Sequence, residues 1–284
     1  MNARQNGMAL VVVLWLVVLL SIMAAGHARG THVDTQLASR QVSVAQARGY
    51  AEAGINHALL MMLSDRGQDV PVDGRIFSVA IDDRTVTLAV RSATGLVDLN
   101  GASADLLDAA LEAIGVAAAQ RRALVDAILD WRDSDDLRHL DGIEDDDYVA
   151  AGLPWTSRDG NFAAVDELRY IPGIGQNEFE RLAPLVTVHS KSAGIDLELA
   201  PPIIVEAMTG DRIEPASQDN TGSRGRGPRT GTFHIYATVE AGQGVLAAIE
   251  AVVTTSRSAD APIVVHEWRD PPRQVVPPLE GVEG

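Results

Sequence analysis

The sequence predicts an α+β protein with a long N-terminal helix, an antiparallel sheet and an α-helical module inserted within that sheet. Three observations predict it. Residues 8–25, MALVVVLWLVVLLSIMAA, lead into an amphipathic stretch that keeps helical spacing to about residue 66. Residues 76–91, IFSVAIDDRTVTLAVR, alternate apolar and polar around Asp82 and Asp83, the pattern of a β-hairpin. Strand patterns return only at 231–242, 245–256 and 261–270, and helical patterns fill much of the interval.

The first element is the most specific. Eighteen residues from Met8 to Ala25 hold Ser21 as their only polar side chain. As a helix rising about 1.5 Å per residue they reach roughly 27 Å, near the thickness of a bilayer's hydrocarbon core. Ala24, Ala25, Gly26 and Ala28 would also suit a signal-peptide cleavage site. The continuation argues against removal, because Val33, Leu37, Val44, Ala51, Ile55, Ala58, Leu59 and Met62 recur at helical spacing. One helix is therefore predicted over 8–66, transmembrane over about 8–25. Gly49 and Gly54 are its weak points, each costing about 1 kcal/mol relative to Ala. Ahead of it stands a short polar leader, MNARQNG, ending in Gly7. Arg4 lies before the span and Arg29, Arg40 and Arg48 after it, so charge alone does not orient the helix.

Composition narrows the function. The 284-residue chain carries a formal net charge of -16, which opposes general affinity for nucleic acid or anionic lipid. Cysteine is absent, which excludes disulfides and thiolate metal sites. No GxSxG, GxxxxGK or HExxH pattern occurs, and His27, His32, His57, His139, His189, His234 and His266 have no metal-ligand spacing, so each reads as a surface or strand residue. No catalytic residues are assigned.

The helical module is expected over 97–190. Ser103 suits an N-cap, Gly115 a stop, and a second helix runs from about Ala117 to Trp131. Further on, Ile171-Pro172-Gly173-Ile174-Gly175 joins two short helical patterns in the manner of a helix-hairpin-helix, with Pro172, Gly173 and Gly175 as the hairpin residues. Such hairpins can hold a DNA phosphate on backbone N–H groups. Here Glu178 and Glu180 follow and would repel it, so structural packing is the favoured reading, with Arg121 and Arg122 on a solvated helix face.

Between these parts nine acids lie from Asp130 to Asp147, against Arg132 and Arg138. That density of oxygen ligands suits calcium. The EF-hand spacing fails, because Leu137 and Arg138 stand where that loop needs a ligand and a glycine. A solvated loop or helix caps would explain the acids equally well. Asp133, Asp135, Asp136, Asp141, Glu144, Asp145 and Asp146 are the pool of candidate ligands. Residues 76–96 and 191–270 supply the sheet domain. Within the latter, SQDNTGSRGRGPRTG reads as a mobile loop, and 271–284 as a loose proline-rich tail.

The leader, Gly7 and the apolar helix resemble the type IV pilins and type II secretion pseudopilins. The helical insertion and the final strands resemble the general secretion pathway protein K family of minor pseudopilins, and the resemblance covers most of the chain. It implies a pseudopilin fold with a helix-hairpin-helix (SAM-like) insertion. It implies cleavage by prepilin peptidase between Gly7 and Met8, N-methylation of Met8, and removal of 1–7. The glutamate usual at the fifth position after the cut is replaced here by Val12. In the family that carboxylate is thought to neutralise a neighbour's N-terminal amine, so its loss suits a subunit at the filament tip. The resemblance also implies calcium as a cofactor. The implied partners are other minor pseudopilins, the major pseudopilin and the inner-membrane secretion platform. The implied setting is the bacterial inner membrane, with a single pass, a cytoplasmic N-terminus and a periplasmic globular part. The expected role is to initiate and cap the pseudopilus that exports folded proteins. The alternative is a membrane-anchored helix-hairpin-helix DNA receptor, in which the hairpins would end the chain. A calcium-dependent hydrolase lacks a recognisable nucleophile and base.

Overall fold

A computed structural model describes residues 5–64, 70–210, 230–240, 245–256, 258, 260 and 262–271, with side chains except at 5–9, 24–37, 245 and 246. Residues 1–4 of the expected leader, most of the loop at 217–231 and nearly all of the 271–284 tail lie outside them. The chain divides into two units, 1–49 and 50–284.

The first unit carries helix α1 (Gln5–Leu63) as far as Gly49. Ser21 returns its hydroxyl to the Val17 carbonyl at 2.8 Å, which satisfies the one polar side chain of the apolar run without a partner outside the helix. From Leu10 to Met23 every large apolar side chain is exposed, from 43% at Val18 to 73% at Leu10.

The second unit begins with the last turns of α1, whose Ala51, Ile55, Ala58, Leu59 and Met62 are buried at the expected spacing. Strands β1 (Asp73–Ile81) and β2 (Arg84–Ser92) form the hairpin, with Ile81 opposite Arg84. Asp82 makes the turn at φ +51°, a conformation Asp tolerates better than most residues. Strands β5 (Gly231–Glu240), β6 (Val245–Thr255) and β7 (Ile263–Arg269) complete a five-stranded antiparallel sheet in the order β1-β2-β5-β6-β7. Adjacent strands β2 and β5, paired from Val86–Val239 to Ser92–Phe233, are therefore distant in sequence.

The segment between them forms its own core. Short strands β3 (Val97–Asp98) and β4 (Val186–Thr187) pair in parallel and close its base. Inside lie α2 (Ala104–Ala113), α3 (Ala118–Arg132), α4 (Asp145–Ala150) and α5 (Gln176–Leu182), with a 3-10 turn at Val165–Tyr170. They bury Leu107, Leu111, Ile128, Trp131, Tyr148, Leu168 and Phe179. The Ser103 hydroxyl accepts the Leu106 N–H at 3.3 Å and caps α2.

One difference from the expected organisation lies just past the module. The 191–270 region, read as strands, opens with a helix, α6 (Pro202–Thr209), packed on α2, and strands resume only at Gly231. Its sequence PIIVEAMT is too short and too apolar to reveal a period. Pro202 at its first turn and Gly210 at φ +74° supply its ends.

Candidate functional site

The acidic segment folds around one carboxylate. Asp130, on the last turn of α3, is fully buried, and its two oxygens accept the backbone N–H groups of His139 at 3.1 Å and Ile143 at 2.8 Å. The His139 ring Nδ1 bonds the same carboxylate. Gly142 crosses it so closely that a Cβ would stand 1.8 Å from Asp130 Oδ2, so no larger residue fits. Arg132 at the same helix end donates to the carbonyls of Leu99 at 2.6 Å and Ala102 at 2.8 Å, so it is committed to the backbone. The loop is thus fixed from below.

Two oxygens face this cradle without partners. Among the described residues Asp133 Oδ1 and Glu144 Oε1 are buried and make no hydrogen bond, as is the Tyr148 hydroxyl. Burial first, then Asp130, Asp133, Asp159 and Asp136, push the Glu144 carboxyl up to about 7. Burial, with Asp135 and Asp130, raises Asp133. The hydrogen bond to Asp130 raises His139. Ligand atoms of Asp130, Asp133 and His139 lie within 4.8 Å of one another. Unpartnered buried carboxylate oxygens crowded by like charge fit a hard divalent cation.

Only part of the predicted pool meets here. Of the pool, Asp133 joins Asp130 and His139 within 4.8 Å and Glu144 is buried near them, while Asp136 is exposed and acts on Glu144 only through its charge. Asp135 instead accepts the Leu137 N–H at 2.9 Å, and Asp145 accepts the Ser157 N–H at 3.1 Å and hydroxyl at 2.7 Å. Asp141 and Asp146 are exposed, and the Asp141 N–H donates to Asp126 at 3.0 Å. Asp130, His139 and Asp159 stand outside the pool; His139 is exposed, as expected of a surface residue, and its ring Nδ1 bonds the buried Asp130 carboxylate. Asp130 was legible in principle: it sits between Ala127, Ile128 and Trp131, on the apolar stripe of α3.

The hairpin is built for packing. Ile171, Ile174, Phe179 and Leu182 are buried. Gly173 turns the chain at φ +95°, and a Cβ there would stand 2.9 Å from Leu124 of α3. Gly175 is the N-cap of the seven-residue α5, and Glu178 folds back to within 2.7 Å of where its Cβ would be. A carboxylate thus lies where a phosphate would have to approach. Arg169 is stacked 3.7 Å over the Phe179 ring, and Arg121 is paired with Asp108 at 3.0 Å and Glu112 at 3.2 Å.

At the N-terminus Gly7 and Met8 lie inside α1, their side chains outside the described set, and Val12 is 60% exposed. Among the described residues no helix is long and apolar enough to cross a membrane. The expected transmembrane span of 8–25 is therefore not met within them. Described side chains there run from 10 to 23, roughly 21 Å of helix, and the expected span extends past both ends.

Residues 88–191 match the family model of the type II secretion system protein K, and residues 6–56 match the PilX N-terminal model. The type II secretion system protein K of Pseudomonas aeruginosa is 25% identical over 250 residues, covering 80% of this chain and 74% of the relative. That of Aeromonas hydrophila is 28% identical over 211 residues, covering 64% of this chain and 63% of the relative. That of Pectobacterium carotovorum is 26% identical over 208 residues, covering 66% and 63%. The chain thus spans a little under two thirds of the latter two. A chain of the solved GspK-GspI-GspJ complex from the enterotoxigenic Escherichia coli type 2 secretion system superposes with a TM-score of 0.56. It covers 82% of this chain and 98% of that one at 15% identity, a likeness of fold alone.

Proposed function

We propose that this chain is a member of the type II secretion system protein K family and acts as the minor pseudopilin that starts the pseudopilus at the inner membrane and ends it at the tip. One observation carries the reading: a large helical unit interrupts a pilin-type sheet between β2 and β5, on a chain whose first helix has Val12 at the position where a filament subunit needs a carboxylate. Without that carboxylate the helix has nothing to neutralise the N-terminal amine of a further subunit. The unit between β2 and β5 adds bulk that a subunit stacking above would have to displace. Assembly then rests on burial of the exposed apolar side chains of α1 against other subunits. The GspK-GspI-GspJ complex supports other minor pseudopilins as the partners. The major pseudopilin and the inner-membrane platform complete the proposed assembly, which serves protein export and involves no chemical step.

In this reading prepilin peptidase cuts between Gly7 and Met8, the Met8 amine is methylated, residues 8–25 lie in the bilayer, and the second unit is periplasmic. Calcium binds the cradle through Asp133 and Glu144, while Asp130 keeps the loop folded beneath it. The cation supplies positive charge, and the protein supplies a fixed set of oxygens. The carboxylate of Glu178 argues against the DNA-receptor alternative.

The mass and N-terminus of the mature protein from membranes test the processing. A chain lacking seven residues with methylated Met8 is expected, and an intact leader or a cut near Ala25 overturns it. Co-purification with the other minor pseudopilins tests the assembly, and its absence removes the proposed role.

A further inference from the structure

The helical unit rests on the sheet through a polar seam. Strand register sets Arg91, His234, Val252 and Glu267 in one row across the sheet and Ala89, Tyr236, Glu250 and Arg269 in the next. Three side chains of the helical unit meet these rows. Thr187 bonds His234 at 3.0 Å, His189 bonds Glu267 at 2.9 Å, and Asp166 accepts from Arg269 at 2.9 Å. A bulge in the β6–β7 pairing leaves His266 without a register partner. His266 bonds the Thr254 hydroxyl at 2.7 Å, and its ring is stacked on His189 with centroids 5.1 Å apart and planes 28° apart.

We infer that this seam is an acid-operated joint, in which protonation of His266 against the stacked His189 ring parts residues 186–191 from β7 and lets the helical unit turn on the sheet while both stay folded. The inference goes beyond the proposed role and does not depend on it.

The charges around the pair decide the direction. Facing His266 among the described residues are His189 and Lys191 from the helical unit, the Thr254 hydroxyl from β6, and Glu267 on its own strand. Facing His189 are His266, Glu267 and, at 6.4 Å between rings, His234. Glu267 is the one carboxylate close to the pair in this group, and it is already shared between His189 at 2.9 Å and Arg269 at 3.4 Å. An imidazolium at His266 would therefore stand near the Lys191 cation without a carboxylate of its own. Burial, followed by His189 and Lys191, holds His266 below the ordinary 6.5. A histidine lowered in the folded state costs nothing above its unfolded pKa, and its penalty grows as pH falls below about 6.5. The other end of the seam resists acid. Burial works to raise Glu250, but His234 and Arg269 outweigh it and hold it at about 2, so the Glu250–Arg269–Asp166 link keeps its charges throughout. One end loosens and the other serves as the pivot.

The absence of cysteine permits spin labels at chosen pairs in the full chain in detergent. Labels at Ala119 and Thr85 report the two parts against each other, and labels at Ala119 and Ala150 report the helical unit alone. Between pH 7.5 and 5.5 the first pair is expected to broaden and shift reversibly while the second stays constant. His266→Gln is expected to hold the first pair at its neutral-pH distances, and His189→Gln to weaken the response. The population of the open form rises about tenfold for each unit by which His266 is lowered, once pH is below that value. Unchanged distances in the unsubstituted chain at pH 5.5 overturn the joint, whatever the variants do. Equal movement of the second pair, or an acid response in folded His266→Gln equal to that of the parent, overturns it as well.

Discussion

Gly54 of α1 meets Val86 of β2 so closely that a Cβ at Gly54 would stand 2.6 Å from Val86 Cγ1. That distance decides how a glycine in mid-helix is to be understood. By helix propensity alone Gly54→Ala gains about 1 kcal/mol. Overpacking of a close-packed contact costs about 1 to 3 kcal/mol, and with Val86 Cβ at 3.3 Å and Leu88 Cδ2 at 3.5 Å there is little room to shift. The expected result is a net loss of about 1 kcal/mol. Gly49, with nothing within 4 Å, is the control, and Gly49→Ala should stabilise by about 0.5 to 1 kcal/mol. Thermal melts of the two variants should shift in opposite directions, and equal shifts would refute the packing account.

Glu250 is the charged centre of the sheet's polar face, with His234 at 3.2 Å and Arg269 at 2.9 Å. Glu250→Gln leaves the Arg269 cation and the His234 ring without that carboxylate and should cost about 3 to 5 kcal/mol. The native carboxyl is held at about 2 against an ordinary 4.5, so its contribution is complete above 4.5 and is lost as pH falls towards 2. The loss is on the order of 3 kcal/mol. Urea melts from pH 7 to 3 check it, and a Glu250→Gln chain should lack this part of the acid slope.

The cradle predicts a calcium-dependent stability. Saturating calcium, at about 100 times its dissociation constant, should add about 2.7 kcal/mol. Glu144→Gln and Asp133→Asn should each reduce that gain. In chelator Glu144→Gln should melt above the parent, because it removes a buried charge crowded by Asp130, Asp133, Asp159 and Asp136. Melts with calcium and with chelator measure both effects, and a parent indifferent to calcium would remove the site.

Gly173 predicts a folding defect with no change in nucleic-acid binding. At φ +95°, with Leu124 2.9 Å from any Cβ, Gly173→Ala should cost about 1 to 3 kcal/mol. Retention of duplex DNA by the parent at physiological salt, lost in this variant, would favour the receptor reading instead.

Much of the fold was legible because it is local. The 3.6-residue period marked α1, the two-residue alternation around Asp82 and Asp83 marked the first hairpin, and Ser103 marked the start of α2. Helix α6 escaped because eight mostly apolar residues carry no period. The cradle was legible only as a density of acids. Composition gives charge but not direction, so it did not separate Glu144, whose Oε1 is buried without a partner, from Asp145, whose carboxylate holds Ser157.

By itself the sequence determined the order and type of the main elements, the apolar start of α1, Val12 in place of a carboxylate, and the acidity of one loop. Each is a property of a residue or of neighbours a few positions apart, and chain geometry converts such spacing directly into a face or a turn. Only the tertiary structure decided that Val86 pairs with Val239, that Asp130 lies beneath the acidic loop, and that a bulge brings His266 against His189. Those relationships join residues far apart in the chain. They are set by how buried surfaces fit and by which buried polar atoms find partners, and no local period records either.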